Sequence, residues 1–143
     1  MTSSRTNARQ DELAPLFGAV RALSQALAAR LSDADATVQS MPDASPAKWH
    51  LAHVSWFFET FVLRDRAPGY RLFDPAYAYL FNSYYEAEGP RHARPMRGML
   101  TRPALPQLLA YRAHVDAALL ALLPALDREG RALVPPGLQR EQQ

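Results

Sequence analysis

The stretch SPAKWHLAHVSWFFETFVLR, residues 45–64, holds the densest run of aromatic residues in the chain and decides its fold. Ser45 can accept a hydrogen bond from a backbone N–H of a first helical turn, as helix-capping serines do. Pro46 suits that turn because its missing N–H would have no partner there. The two residues therefore predict that a helix begins here, and the apolar content predicts that it runs to about Arg64.

Polar and aromatic side chains are unevenly distributed around this predicted helix. At about 100° per residue, one narrow face carries Lys48, Ser55 and Glu59. The opposite face is crowded with Trp49, His53, Trp56, Phe57 and Thr60. We expect the narrow face to meet water and His53 to point into the aromatic surface, with His50 about 60° away. A buried imidazole needs partners, because an unpaired buried polar group costs about 1–3 kcal/mol.

Composition is typical of a single globular domain. The chain has 143 residues, an apolar fraction of 48% and a charged fraction of 21%. Sixteen basic and fourteen acidic residues give a net charge of +2, so nucleic-acid binding is not indicated. The absence of cysteine excludes disulfides and thiolate chemistry. With no signal peptide and no uninterrupted apolar run of about 18 residues, we expect a cytoplasmic protein that does not bind a membrane.

Apolar residues recur at helical spacing on both sides of the central stretch. Residues 1–10 are polar and are predicted to be a disordered lead. Amphipathic helices are predicted from about 11 to 32 and from about 105 to 126, and residues 127–131 are predicted to be a loop. A fourth segment, 138–143, would stop after one or two turns. The prediction is an all-α, antiparallel four-helix bundle spanning residues 11–143 whose last helix is truncated.

The connection between the second and third helices, from Tyr70 to Pro103, is far longer than the roughly two to eight residues that a bundle loop needs. A connection of this length in a compact domain usually has a function. Its aromatic residues are expected to pack it onto the bundle. Arg94 and Arg97 present two guanidinium groups three residues apart, a pattern suited to a carboxylate ligand and also found on solvated surfaces.

Histidines are the candidate metal ligands, at His50, His53, His92 and His114. A stable site needs about three converging ligands. His50 and His53 lie one helical turn apart, whereas His114 falls on the flank of the third helix and is expected to be a surface residue. Glu59, on the narrow polar face, is expected to be solvated. Periodicity alone therefore does not predict a complete metal site.

Three segments of the chain carry a resemblance to a known family. They read SPAKWHLAHVSWFFETFVL, YLFNSYYEAEGPRHARPMRGMLTRP and YRAHVDAALLALL, in that order. Over residues 41–143 they resemble the N-terminal DinB-like domain of the ergothioneine-biosynthesis sulfoxide synthases (EgtB). The resemblance implies a DinB-like four-helix bundle, which in that family precedes a domain similar to the formylglycine-generating enzyme.

The resemblance also implies a chemistry. Enzymes of this family hold non-haem iron(II) with three histidines and use dioxygen to join the thiol sulfur of γ-glutamylcysteine or cysteine to hercynine. His53 matches the first iron ligand, and Arg94 and Arg97 resemble the arginines that hold the thiol's carboxylates. The other two ligands belong to a His-Glu-Gln-Gln-His-Gln-Glu motif, where this sequence has Arg140 at the first position and ends at Gln143. The resemblance thus implies a single remaining ligand, no iron bound by this chain alone, and a domain that is inactive by itself.

Two other functions stay open at this point. A truncated last helix would leave an apolar groove that could receive a helix from a second copy or another protein, which predicts self-association or a non-catalytic interaction module. Alternatively, a stand-alone DinB-type metal-binding protein could use His50, His53 and His114.

Overall fold

The computed structural model describes residues 12–83 and 85–142, and within these ranges the chain forms helices and turns but no β-strand. The helices are α1 (Leu13–Ala28), α2 (Asp33–Thr37), α3 (Ala47–Phe58), α4 (Arg64–Arg66), α5 (Tyr77–Phe81), α6 (Leu105–Leu122), α7 (Arg128–Ala132) and α8 (Val134–Gln142). A π-helical segment, Glu59–Leu63, joins α3 to α4, and 3₁₀ turns span Glu86–Glu88, Arg94–Met99 and Leu123–Ala125. The predicted all-α bundle is confirmed. The structure does not describe residues 1–11, Tyr84 or Gln143. The predicted lead at 1–10 and the predicted helix start at Asp11 therefore lie outside the described residues.

The long connection between α3 and α6, the second and third long helices of the bundle, lets these two helices run parallel. At one end, the Asp33 carboxylate accepts hydrogen bonds from the Leu105 backbone N–H (2.7 Å) and the Lys48 ammonium (3.4 Å), which brings the starts of α3 and α6 together. At the other end, Arg66 lies 3.6 Å from Asp127, just beyond α6. Within the bundle, α1 and α8 both pack against α3 and run antiparallel to it.

The central helix of the bundle consists of α3 and the π-helical segment that follows it. Its narrow polar face does not meet water, so that expectation was wrong. Lys48, Ser55 and Glu59 are only 4%, 0% and 3% exposed. Each has a partner inside the fold: Lys48 pairs with Asp33, and the Ser55 hydroxyl accepts a hydrogen bond from Arg21 at 2.6 Å. The helix is therefore surrounded on every side, and its polar positions fasten neighbouring elements to it.

Two serines at helix boundaries act differently from the sequence prediction. Ser45 does not cap α3; its hydroxyl instead accepts a hydrogen bond from Arg97 at 2.7 Å. The first helix ends at Ala28 rather than near Ser32, and Ser32 caps the short helix α2. The Ser32 hydroxyl and the Asp35 carboxylate there bond each other's backbone N–H groups, at 3.0 and 3.1 Å.

The C-terminal part of the chain is more helical than predicted. Residues 128–132 form α7 instead of a loop, and α8 begins at Val134 rather than at Leu138. Pro135 is compatible with this start because a first turn leaves its N–H positions unbonded. Gly137 lies so close to the central helix that a Cβ atom would come within 2.6 Å of the Phe58 ring. Along this length the apolar groove predicted from a truncated helix is thus covered by α8.

A buried cluster of charges ties three bundle helices together. Glu141 on α8 accepts hydrogen bonds from Arg112 of α6 at 2.6 Å and from Arg21 of α1 at 3.4 Å. Arg21 also donates to Asp116 at 2.7 Å. Arg112 and Asp116 are four residues apart on α6, a spacing that predicts an ion pair between them. In the structure Arg112 instead pairs with Glu141, and Asp116 pairs with Arg21. The four groups balance one another in charge where water is largely excluded.

The segment Leu105–Ala125, which comprises α6 and the 3₁₀ turn after it, is long and apolar enough by length and composition to cross a membrane. In the structure it packs against the central helix and buries Leu108, Tyr111, Arg112, Val115 and Leu119. A core helix of a globular bundle has the same composition, and here one of its buried residues is the ion-paired Arg112. We therefore describe α6 as a core helix of the bundle.

A cationic cleft around His53 as the candidate functional site

His53 lies in the aromatic surface that the sequence predicted for it, and its burial is confirmed at 8% exposure. Its ring is stacked between two indoles of the same helix, Trp49 and Trp56. The ring centroids are 4.5 and 5.6 Å apart, and the planes are inclined by only 12° and 14°. Spacings of four and three residues place these side chains on one face of α3, so the helix itself holds the imidazole in a fixed orientation.

The short helix α5 sets the tautomer of His53. His53 Nδ1 lies 2.6 Å from the carbonyl oxygen of Phe81, and Trp49 Nε1 donates to the carbonyl of Leu80 at 3.0 Å. These carbonyls belong to the last turn of α5, whose own helix offers them no N–H partner. Because a carbonyl only accepts, Nδ1 must carry the proton, and the neutral ring keeps an unprotonated Nε2. An imidazole fixed through one nitrogen in this way can accept a hydrogen bond or ligate a metal with the other.

The surroundings keep this imidazole neutral. Burial is the main cause and, together with the charges of Arg140 and Arg97, it lowers the pKa of His53 to about 4, against the opposing effect of the Phe81 hydrogen bond. His50 lies at the rim and is exposed, yet desolvation and the charges of Arg97 and Arg94 lower its pKa as well. Both rings are therefore uncharged near neutral pH.

An open cleft of about 680 Å³ lies beside the two histidines. It is formed by the start of α3, the 3₁₀ turn Arg94–Met99, and the first two turns of α8. Its lining residues are Asp43, Ala44, Ser45, Trp49, His50, His53, Ser83, Arg94, Arg97, Pro136, Gln139 and Arg140. The volume is in the range of small-molecule sites. The structure thus brings the predicted site residues His53, Arg94 and Arg97 into one cleft.

Arg97 is held rigidly at the base of this cleft. It is 3% exposed, and its guanidinium carbon lies 3.6 Å from the centre of a Trp49 ring, a close cation–π contact. It donates to the Ser45 hydroxyl at 2.7 Å and to the Asn82 carbonyl at 3.5 Å. Stacking and hydrogen bonding fix the plane of the guanidinium, so it can meet an anion without losing much side-chain entropy.

The Gln39 side chain clamps the 3₁₀ turn that carries both arginines. Its amide nitrogen donates to the Arg94 carbonyl at 2.8 Å, and its amide oxygen accepts from the Gly98 N–H at 2.7 Å. Gly98 has room for no Cβ here, because one would come within 2.7 Å of Gln39. Sequence reasoning missed Gln39, since it lies about 55 positions from the turn and shows no local motif.

His114 lies away from the cleft. His114 Nε2 is 3.3 Å from the Arg71 carbonyl, and its ring packs near Tyr70 and Phe73. None of these residues lines the cleft, so a metal site that joins His114 to His50 and His53 is not formed.

Glu59 was expected to be solvated, and this expectation was wrong. The Glu59 carboxylate accepts hydrogen bonds from the Tyr70 and Tyr111 hydroxyls and from the Phe73 N–H. Burial and this carboxylate raise the pKa of both tyrosines above its ordinary value. Glu59 thereby fastens the long connection and α6 to the central helix, a structural role rather than a place in the cleft.

The iron that the resemblance implies does not fit the donor set found here. Across residues 12–83 and 85–142, no group of three His, Cys, Asp or Glu side chains is placed to hold a metal ion. Arg140 lines the cleft with His53, and a guanidinium cannot act as a ligand because it stays protonated. The described residues therefore offer a cleft lined by arginines and a neutral imidazole rather than a closed iron site.

The fold has known relatives. Residues 16–141 match the family model of the DinB superfamily. The match covers most of the 143 residues, and the chain therefore belongs to the DinB superfamily. No curated protein matches the chain.

Proposed function

We propose that this chain is the DinB-like domain of a sulfoxide synthase of the ergothioneine-biosynthesis type, and that its own task is to bind the carboxylates of the thiol substrate. The proposed substrate is γ-glutamylcysteine or cysteine, whose sulfur such an enzyme joins to hercynine with dioxygen. The observation that carries the proposal is the grouping of Arg94 and Arg97 with a neutral, buried His53 in one cleft.

The chemistry of the cleft supports carboxylate binding. The guanidinium of Arg97 is already oriented by Ser45 and Trp49, and charge-assisted hydrogen bonds to such groups contribute about 1.5–3 kcal/mol each. The neutral His53 adds an acceptor or ligand atom without adding charge. We accordingly propose that the domain binds the substrate but performs no turnover alone, since the described residues do not complete an iron site.

Calorimetry with γ-glutamylcysteine tests the proposal. Cysteamine, which has the thiol but no carboxylate, should bind at least about tenfold more weakly than γ-glutamylcysteine if the arginines recognise carboxylates. Arg94→Gln should weaken γ-glutamylcysteine binding by about tenfold or more. Arg91→Gln is the matched control, because Arg91 is exposed on the same connection and does not line the cleft.

Two results would contradict the proposed function. Equal affinity for cysteamine and γ-glutamylcysteine would mean that carboxylates are not recognised. An unchanged affinity in Arg94→Gln, with Arg97→Lys also unchanged, would mean that the ligand does not contact this pair. Arg97→Lys is included because it keeps the charge while losing the fixed fork.

A second candidate function is a non-catalytic interaction module, favoured by the outer face of α1. Leu16, Leu23 and Leu27 on this helix are 48%, 55% and 77% exposed. An apolar stripe of this kind fits a second helix, and self-association through it is the corresponding proposal. Light scattering that gives a dimer for the native chain and a monomer for Leu27→Glu would support it, whereas a monomer at micromolar concentration in both would refute it.

A further inference from the structure

Arg140, on α8, lines the candidate cleft together with the arginines of the 3₁₀ turn. Its guanidinium carbon lies 5.1 Å from the ring centres of both Phe57 and Tyr85, so two cation–π contacts hold it in place. The next residue, Glu141, is anchored by the buried Arg21 and Arg112, which fixes the end of α8 that presents Arg140. The placement of Arg140 is thus built into the bundle.

The charges that line the cleft have mainly one sign. Arg94, Arg97 and Arg140 contribute three positive charges, and Asp43 contributes one negative charge. Both imidazoles are neutral near pH 7. Among the described residues no carboxylate forms an ion pair with Arg140. A cleft with this balance attracts anions and repels a divalent cation.

We infer that Arg140 makes the cleft a site for a small dicarboxylate, with Arg94 and Arg97 binding one carboxylate and Arg140 the other, and that it prevents His53 from holding a divalent metal ion. The inference deepens the proposed function, because it adds a third guanidinium to the same cleft. Two carboxylates suit the arrangement because the arginines come from two separate elements that line the cleft, Arg94 and Arg97 from the 3₁₀ turn and Arg140 from α8.

The anion arm of the test compares glutarate, which has two carboxylates, with butyrate, which has one and a similar chain length. Calorimetry should give about tenfold tighter binding of glutarate by the native chain. Arg140→Gln should remove most of this preference and leave butyrate binding nearly unchanged. Arg128→Gln, a change at an exposed arginine outside the cleft, should behave like the native chain.

The metal arm uses Co²⁺, whose binding to imidazole can be followed by absorbance. Arg140→His should bind Co²⁺ at least about tenfold more tightly than the native chain, since it replaces a cation by a second imidazole. His53→Ala in that background should remove the gain. Circular dichroism of each variant checks that it is folded; Arg140 is exposed, so its replacement alone should leave the core intact.

Opposite results separate this inference from the proposed function. An unchanged glutarate affinity in Arg140→Gln overturns the inference, as does Co²⁺ binding by the native chain that equals binding by Arg140→His. If Arg140→Gln weakens glutarate binding while Arg94→Gln and Arg97→Lys both leave it unchanged, Arg140 binds a carboxylate without the predicted arginine pair, and both the proposed function and the two-carboxylate arrangement are wrong. The reverse pattern refutes only the role of Arg140.

Discussion

Replacing Glu141 with alanine should destabilise the fold by about 3–5 kcal/mol, which is the usual cost of leaving a buried charge without its partner. The Glu141 side chain is 2% exposed, and its two oxygens contact Arg112 at 2.6 Å and Arg21 at 3.4 Å. Both guanidinium groups keep other bonds: Arg112 donates to the Leu51 carbonyl at 2.9 Å, and Arg21 to Asp116 at 2.7 Å. These remaining bonds place the expected loss at the lower end, about 3 kcal/mol.

Urea unfolding followed by tryptophan fluorescence measures this change, because both tryptophans lie on the central helix that α8 covers. Glu129→Ala is the matched control. Its carboxylate is 87% exposed and 3.9 Å from Arg66, so its loss should change the free energy of unfolding by less than about 0.5 kcal/mol. A loss below about 1 kcal/mol for Glu141→Ala would refute the view that this charge cluster fastens α8 to the bundle.

Two further predictions concern packing and pH. Gly137→Ala should lower the free energy of unfolding by about 1–3 kcal/mol, because the added Cβ would come within 2.6 Å of Phe58. Gly18→Ala should raise it by up to about 1 kcal/mol, because nothing lies within 4 Å of that position. Equal effects of the two changes in urea unfolding would contradict this packing. The lowered pKa of His53 means that the unfolded chain binds a proton more readily, so about 3 kcal/mol should be lost between pH 7 and pH 4. His53→Gln should remove that part of the pH dependence, and an unchanged profile would contradict it.

The sequence predicted the fold class and the burial of His53 because both depend on local periodicity. Apolar spacing marked the long helices, and the concentration of aromatic side chains from residue 49 to 57 required that this helix be buried. Helix boundaries were less predictable. Ser32 and Ser45 both have the chemistry of a helix cap, and only tertiary contacts decide that Ser32 caps a helix while Ser45 binds Arg97.

The errors at polar positions have one physical origin. The sequence shows that Lys48, Ser55 and Glu59 share a face, but their partners come from distant segments: Asp33, Arg21 and Tyr111. A polar side chain whose partner lies far away in the chain has no local signature, and solvation is then the default expectation. The hydrogen bond from Gln39 to the 3₁₀ turn Arg94–Met99 was unpredictable for the same reason.

The central claim is that the cleft presents a neutral imidazole whose proton is on Nδ1. Long-range ¹H–¹⁵N correlation spectra of the His53 ring report the protonation of each nitrogen directly, and a His53→Gln sample assigns the signals. The structure predicts a neutral ring at pH 6 with hydrogen on Nδ1 and an unprotonated Nε2, because the Phe81 carbonyl accepts from Nδ1 and burial disfavours the charged form. A charged ring at pH 6, or a neutral ring with its hydrogen on Nε2, would contradict the claim.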